Sequence, residues 1–340
     1  MTSEAAFEEF VGPHRAQLHA HCYRMLGSVH DADDAMQDAM LRAWRGMGRF
    51  EGRSSAKSWL YRIATNACLD LIGRRPKREL AIDSGPASDP HDGPGPPLTE
   101  TAWIEPYPDA GLEYEQRESV ELAFIAALQH LPALQRAALI MREVLGFSAK
   151  ETADALDTTP AAINSALQRA RKAVEEKRPE QTQQETLAAL PDTELKELVE
   201  VYADAWERGD VDTIVAKLSD DATIAMPPMA TWFRGRAAVA VFLRDWAFAH
   251  PWQEGEAVFR GDAGERSVRL VPTTANGQLA YASYRWDPSR GAHVPMALQV
   301  LTLRDREIID ITGFVMPSVF PYFGLPEELP SPASDPRQVG

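Results

Sequence analysis

Between Gly146 and Lys172 the chain reads GFSAKETADALDTTPAAINSALQRARK. Asn164, Ser165, Gln168, Arg169 and Arg171 recur there at helical spacing, with Ala161 beside them and Thr159 just ahead. Asn and Gln amides match the edge of adenine, and a guanidinium matches guanine or a phosphate. Such a face is suited to reading base pairs from a groove that admits a helix. Positioning it takes a buried stripe behind it, which Ile163, Leu167, Ala170 and Val174 supply at the helical period. Ser148 with Glu151 three residues later is a capping box, and that first helix is expected to end near Leu156. Asp157-Thr158-Thr159 then makes a tight turn, Thr159 caps a second helix, and Pro160 suits its first turn. The small Ala153 lets the two helices cross closely. These are the requirements of a helix-turn-helix, whose second helix enters the major groove by its N-terminal end. A plain helical hairpin would share the stripe, but the caps, the turn and the polar outer face agree on the DNA-binding form.

A second set of polar and aromatic residues precedes it. Leu18, Cys22, Met25 and Leu26 lie on one helical face, Gly27-Ser28 breaks that helix, and Asp31 to Trp44 starts another with acidic residues in its first turn. Gly46 to Ser58 reads as a loop or a frayed end, after which Leu60, Ile63, Ala64, Ala67, Cys68 and Leu71 mark a third amphipathic helix with a basic end. Cys22 and Cys68 have no metal-ligand spacing and read as buried small side chains, a redox pair being the alternative.

The chain has 340 residues and a net charge of −15, which taken alone argues against nucleic acid. The distribution reverses that argument. Residues 1–75 carry 10 basic against 9 acidic side chains and residues 118–180 carry 8 against 9, whereas 181–340 carry 14 against 23. The helical segments are near neutral, and the acidity sits elsewhere. An acidic part could mask the DNA-binding part, or the helices could bind DNA weakly and rely on a larger partner. No apolar run reaches the ~18 residues of a membrane span, and the start lacks the pattern of a signal peptide, so the expected location is the cytoplasm, with no membrane contact.

Residues 77–117 read as an acidic linker too rich in Pro and Gly for regular structure, ending in TAWIEPYPD with Trp103, Ile104 and Tyr107 available to whatever lies alongside. That aromatic cluster either docks into a partner's groove or packs on its own neighbouring domain. Beyond Pro191, an amphipathic helix through Leu195, Leu198, Val199, Tyr202 and Trp206 precedes five β-like stretches: ATIAM, SVRLVPTT, QLAYASYRW, VPMALQVLTL and EIIDITGFV. The expected architecture is multidomain: two all-α modules followed by an α+β domain, over 1–76, 118–180 and 190–325, with a flexible tail at 326–340.

The segment GSVHDADDAMQDAMLRAWRGMGRFEGRSSAKSWLYRIATNACLDLIGRR strongly resembles the extracytoplasmic-function group of bacterial sigma factors. DADDAMQDAMLRAW is similar to the family's polymerase-gripping helix, which implies that Asp34, Gln37 and Asp38 bind the β′ clamp of core RNA polymerase. GRFEGRSSAKSWLYRIATNACLD resembles the element that opens and reads the promoter −10 region. Arg53, Lys57 and Arg62 would then contact phosphates, Ser54, Ser55 and Asn66 base edges, and the rings of Trp59 and Tyr61 would either stack on flipped bases or pack in the core. The helix-turn-helix matches the module that reads the −35 region beside the β flap, with Thr159, Ala161, Asn164, Ser165, Gln168, Arg169 and Arg171 as its reading set. Two departures stand out: Asp157 occupies a turn position where relatives commonly have Gly, and Asn164 and Ala166 replace residues that are often basic.

Residues from about 192 to 325 resemble the cone-shaped SnoaL-like fold of polyketide cyclases, steroid isomerases and nuclear transport factor 2, on LVEVYADAWERGDVDTIVAKLSDDATIAMPP, FRGRAAVAVFL and VLTLRDREIIDITGF. A subset of these sigma factors carries such a domain in place of a separate anti-sigma protein. The resemblance implies a pocket that could hold a small apolar ligand, and enzymes of the fold place an Asp or His there. Asp221, His250, Asp287 and His293 are the candidates, none in a motif that fixes a role; Asp220 and Asp221 read most simply as turn residues. Trp232, Phe233, Trp246, Phe248, Trp252 and Trp286 read mostly as core, with some available to line a cavity, and no catalysis, cofactor or metal is expected. The rival reading is a one-component regulator that senses a ligand and binds operator DNA without polymerase.

Overall fold

The computed structural model describes residues 4–50, 52, 55–112, 117–177, 179, 181–248 and 268–330. Contacts divide the chain into two interleaved units, 1–79 with 109–180, and 80–108 with 181–340.

The first unit is helical. α1 (Glu4–Val11), α2 (Arg15–Leu26), α3 (Val29–Met47) and α4 (Ala56–Ile72) precede α5 (Leu122–Gln129), α6 (Ala133–Leu139), α7 (Ala149–Ala155) and α8 (Pro160–Glu175). The boundaries follow local chemistry. Gly27 ends α2 in the left-handed region at φ 70°, and the Ser28 hydroxyl accepts from Asp31 N to start α3. Leu18, Cys22, Met25, Ala64 and Cys68 are fully buried where α2 meets α4.

His21 lies in that core. Thr65 donates to the Tyr61 carbonyl at 2.6 Å, so its oxygen accepts from His21 Nε2 at 2.9 Å, which fixes the neutral tautomer. Nδ1 is buried without a hydrogen-bond partner among the described residues, and burial pushes the pKa down to about 3. The unfolded chain takes up a proton near pH 6.5 that the folded protein refuses. Stability is therefore complete above about pH 6.5 and is lost as pH falls from there toward 3, by about 1.4 kcal/mol per unit. Urea midpoints at pH 6.5 and pH 5 should differ by about 2 kcal/mol of stability, and His21→Phe should flatten that slope.

In the second unit α9 (Gln183–Ala189), α10 (Asp192–Arg208), α11 (Val211–Ala216) and α12 (Arg236–Phe242) accompany β1 (Leu218–Ala225), β2 (Trp232–Arg234), β3 (Val268–Ala275), β4 (Gln278–Asp287), β5 (Ala292–Arg304), β6 (Glu307–Phe314) and β7 (Leu329–Pro330). The sheet order is β2-β1-β6-β5-β4-β3, with β1 parallel to β6, the other neighbours antiparallel, and β7 on β5. Asn276 and Gly277, at φ 57° and 67°, close the β3–β4 hairpin. Tyr202 and Trp206 of α10 pack with Ile224, Leu301 and Ile311 to form the core. Gln183 clamps the irregular stretch of β5, donating to the Leu303 carbonyl at 2.8 Å and accepting from its amide at 2.7 Å. Asp220 and Asp221 lie inside β1, beside its register shift, and not in a turn.

The Pro/Gly-rich segment 80–108 belongs to this second unit. Pro97 and Pro108 form β-bridges with Met229 and Ala275, and the Ser88 and Leu98 amides donate to Trp232 and Pro228 carbonyls at 2.8 Å each. Asn276 both accepts from the Tyr107 amide and donates its own amide to Tyr107, each at 2.8 Å. Trp103 clusters with Ala81, Ala225 and Trp232 at 4% exposure. Trp103, Ile104 and Tyr107 are thus buried within the protein itself.

Candidate nucleic-acid interface

α7 and α8 meet each other and α6 through Ala153, Ile163, Ala166 and Ala138. The Ser148–Glu151 capping box is formed, and the Thr159 hydroxyl accepts from Ala162 N at 3.2 Å. Asp157 sits in the turn at φ 47°, a conformation that Asp tolerates better than most side chains and Gly better still. Thr159, Ala161, Asn164, Ser165, Gln168, Arg169 and Arg171 are all exposed. Arg171 pairs with Glu143 at 2.6 Å. Ala166 is fully buried in the helix crossing, so packing accounts for the small residue there.

On α3, Asp34 and Gln37 are exposed and Asp38 is half-buried. Asp34 pairs with Arg75 at 2.9 Å, and Asp38 with Arg42 at 2.6 Å. Leu41, 55% exposed, lies one turn beyond Gln37 and Asp38 on the same face. Trp44, 40% exposed, follows three positions further along α3. The signal was present in the sequence: Leu41 falls outside the buried stripe of Ala32, Ala35, Met36, Ala39 and Ala43.

Of the residues expected at the −10 element, Arg53 and Ser54 lie outside the described residues. Ser55 caps α4, accepting from Ser58 N at 3.0 Å. Lys57 and Arg62 are exposed, and Trp59 and Asn66 half-buried. Trp59 joins Phe10 and Phe50, with ring centroids 6.0 and 5.1 Å away. Tyr61 is only 1% exposed and packs edge-on between His21 and Phe147, so its ring serves the core and is not presented to a base. Near the basic end of α4 a cavity of about 360 Å3 opens beside Arg75, Lys77 and Arg78. Asp31 already pairs with both arginines, and Lys77 bonds His130 at 2.6 Å.

In the second unit the cavity beneath the sheet measures about 20 Å3, room for roughly one water. Trp206, Met226, Phe242 and Gln299 line it. Gln299 accepts from the Tyr202 hydroxyl at 2.8 Å and donates to Ser283 at 3.0 Å. None of the described candidate bases lines this space. The Arg304 guanidinium and the Ser219 hydroxyl hold Asp221 down to about 2, and Ser289 depresses Asp287. His293 is buried beside Trp286, while His250 and Trp252 lie outside the described residues. Trp232 and Phe233 are buried, and Trp246 and Phe248 pack against the core.

Comparison with known proteins agrees with this layout. Residues 10–78 match Sigma-70 region 2, 121–174 match Sigma-70 region 4, and 199–311 match the SnoaL-like domain. The ECF RNA polymerase sigma factor SigG of Mycobacterium tuberculosis is 38% identical over 95% of this chain and 85% of its own length. The chain belongs to the extracytoplasmic-function sigma factors. SigM of the same organism is 35% identical over 49% of this chain and 74% of its own. The crystal structure of M. tuberculosis SigJ, 21% identical, covers 95% of this chain and 100% of its own with a TM-score of 0.57, which places the two in one fold. As a sigma factor the protein binds core RNA polymerase and directs promoter-specific initiation of transcription. Among the described residues no helix is long and apolar enough to cross a membrane.

Proposed function

We propose that residues 1–76 dock on the β′ clamp through Asp34, Gln37, Asp38 and the exposed Leu41. The exposure of Leu41 beside those polar groups carries this assignment. In the same reading α4 opens and reads the −10 element with Ser55, Lys57, Trp59, Arg62 and Asn66, joined by Arg53 and Ser54. Residues 118–180 sit by the β flap and read the −35 element from Thr159, Ala161, Asn164, Ser165, Gln168, Arg169 and Arg171. Residues 190–325 modulate the activity in place of a separate anti-sigma protein, through contacts within the chain, and 77–117 act as the connecting linker. The burial of Trp103 against Ala225 and Trp232 supports that linker as the route of control. The cavity of about 20 Å3 among the described residues would admit a small apolar ligand only if the core around Met226 and Phe242 parted. The depressed Asp221 carboxylate, paired with Arg304, is ill suited to act as a general base. The site of action is the cytoplasm, beside the polymerase.

Run-off transcription with core polymerase on a genomic promoter library tests this. Leu41→Asp and Asp38→Ala should each cut specific transcripts, the first by at least about tenfold if Leu41 anchors the contact. Truncation after Arg178 should change the yield, its direction giving the sign of control. If no version initiates while the protein alone binds duplex DNA tightly, the ligand-sensing one-component regulator replaces this reading.

A further inference from the structure

The two DNA-reading elements meet inside the first unit. Arg62, on the exposed side of α4, pairs with Asp157 in the turn of the helix-turn-helix at 3.0 Å. Lys57, one helical turn earlier, places its ammonium 5.6 Å from the ring of Phe147, just before α7, and Tyr61 packs edge-on against the same ring at 5.5 Å. Glu151 of α7, whose carboxyl is held down first by Ser148, also gains from the Ser58 hydroxyl of α4. Lys57 and Ser58, with Tyr61 and Arg62 one turn later, therefore face the first helix and the turn of the other module.

We infer that Asp157 is an intramolecular latch, which adds to the buried contacts between the modules by occupying Arg62 until polymerase or promoter pulls them apart. The inference rests on the reading of α4 as the −10 helix and α8 as the −35 helix. Elements named for positions 25 base pairs apart lie about 85 Å apart along duplex DNA. Side chains 3.0 Å from one another cannot serve both, so initiation must break this pair. The left-handed φ of 47° at Asp157 is one that an aspartate tolerates, and its carboxylate is thereby presented to Arg62. The pair is solvent-exposed on both sides, which makes it a weak and salt-sensitive catch rather than a permanent weld.

The test uses the full chain. Spin labels or fluorophores on introduced cysteines in α4 and α8 report the distance between the modules, Cys22 and Cys68 being fully buried and slow to label. Asp157→Gly and Asp157→Asn should each raise the ratio of open to closed molecules about two- to fivefold, the range an exposed ion pair supports. Both should raise run-off transcription at limiting protein by a similar factor. Asp157→Gly should show no loss of thermal stability, which separates a latch from a structural prop. Asp154→Asn, on the exposed side of α7 and paired with Lys150, serves as the control and should change neither. Unchanged distances in both variants overturn the latch. Opened distances with unchanged transcription overturn its regulatory role. If the wild type fails to initiate with core polymerase, the sigma assignment fails instead, and the distances still judge the latch by themselves.

Discussion

Arg136→Ala should lower the stability of the first unit by about 3–5 kcal/mol, as several buried acceptors lose a charged donor at once. Arg136 is 5% exposed. Its Nη1 donates to the Met25 carbonyl at the end of α2 and to Gln129 Oε1 at 2.6 Å, and its Nη2 donates to the Gln129 and Leu131 carbonyls at 3.1 and 3.2 Å. One side chain thus closes the C-terminal ends of α2 and α5, where helix carbonyls lack intrahelical partners and a cation is favoured. Burial pushes its pKa down to about 10, which leaves it charged at neutral pH. A thermal melt should show the first unit's transition lowered by roughly 6–20 °C. Arg136→Lys should recover only part of this, since one ammonium cannot span the same fork of acceptors. A melt unchanged by Arg136→Ala would mean that water replaces all four bonds, and that the α2–α5 junction owes its stability to packing alone.

Trp206→Ala should cost the second unit about 3–5 kcal/mol. Trp206 is 2% exposed and packs against Tyr202 and Phe248 with centroids 5.9 and 5.3 Å away. It also walls the small cavity beneath the sheet, so its removal should join that space to a void on the order of 150 Å3, large enough for benzene. Millimolar indole or benzene should then restore part of the lost melting temperature in the variant and leave the wild type unmoved. Without that rescue, the neighbours have collapsed into the gap, and the domain is more plastic than its packing implies.

How far the sequence reveals this fold depends on the range of the interaction. The helix-turn-helix was legible because its determinants are local: Ser148 with Glu151, Thr159 before Pro160, and a stripe from Ile163 to Val174. Strands β3 to β6 announced themselves by apolar alternation and by Asn276-Gly277. β2 has three residues and no periodicity to detect, and Asp220-Asp221 looks like a turn because the irregular start of β1 tolerates polar residues. The placement of residues 80–108 was hidden for a different reason. Its bonds run largely through backbone groups, such as Leu98 N to the Pro228 carbonyl, which leave no side-chain signature. Tyr61 and Trp59 looked alike in a list of aromatics, yet one lies beneath Phe147 and the other in a partly open cluster with Phe10 and Phe50. Arg62 and Asp157, separated by 95 positions, carry no mutual mark in one sequence.

The interleaving of the two units also sets an order of events during synthesis. Trp103 leaves the ribosome well before its partner Trp232, and at about 5–20 residues per second the 129 intervening positions take roughly 6–25 s. Both helical modules are complete by residue 177, before any strand of the C-terminal sheet has been made. Each newly made molecule therefore passes through a short youth in which it already owns its promoter-reading parts but not the surface that receives its linker. Slower elongation beyond residue 177 lengthens that interval.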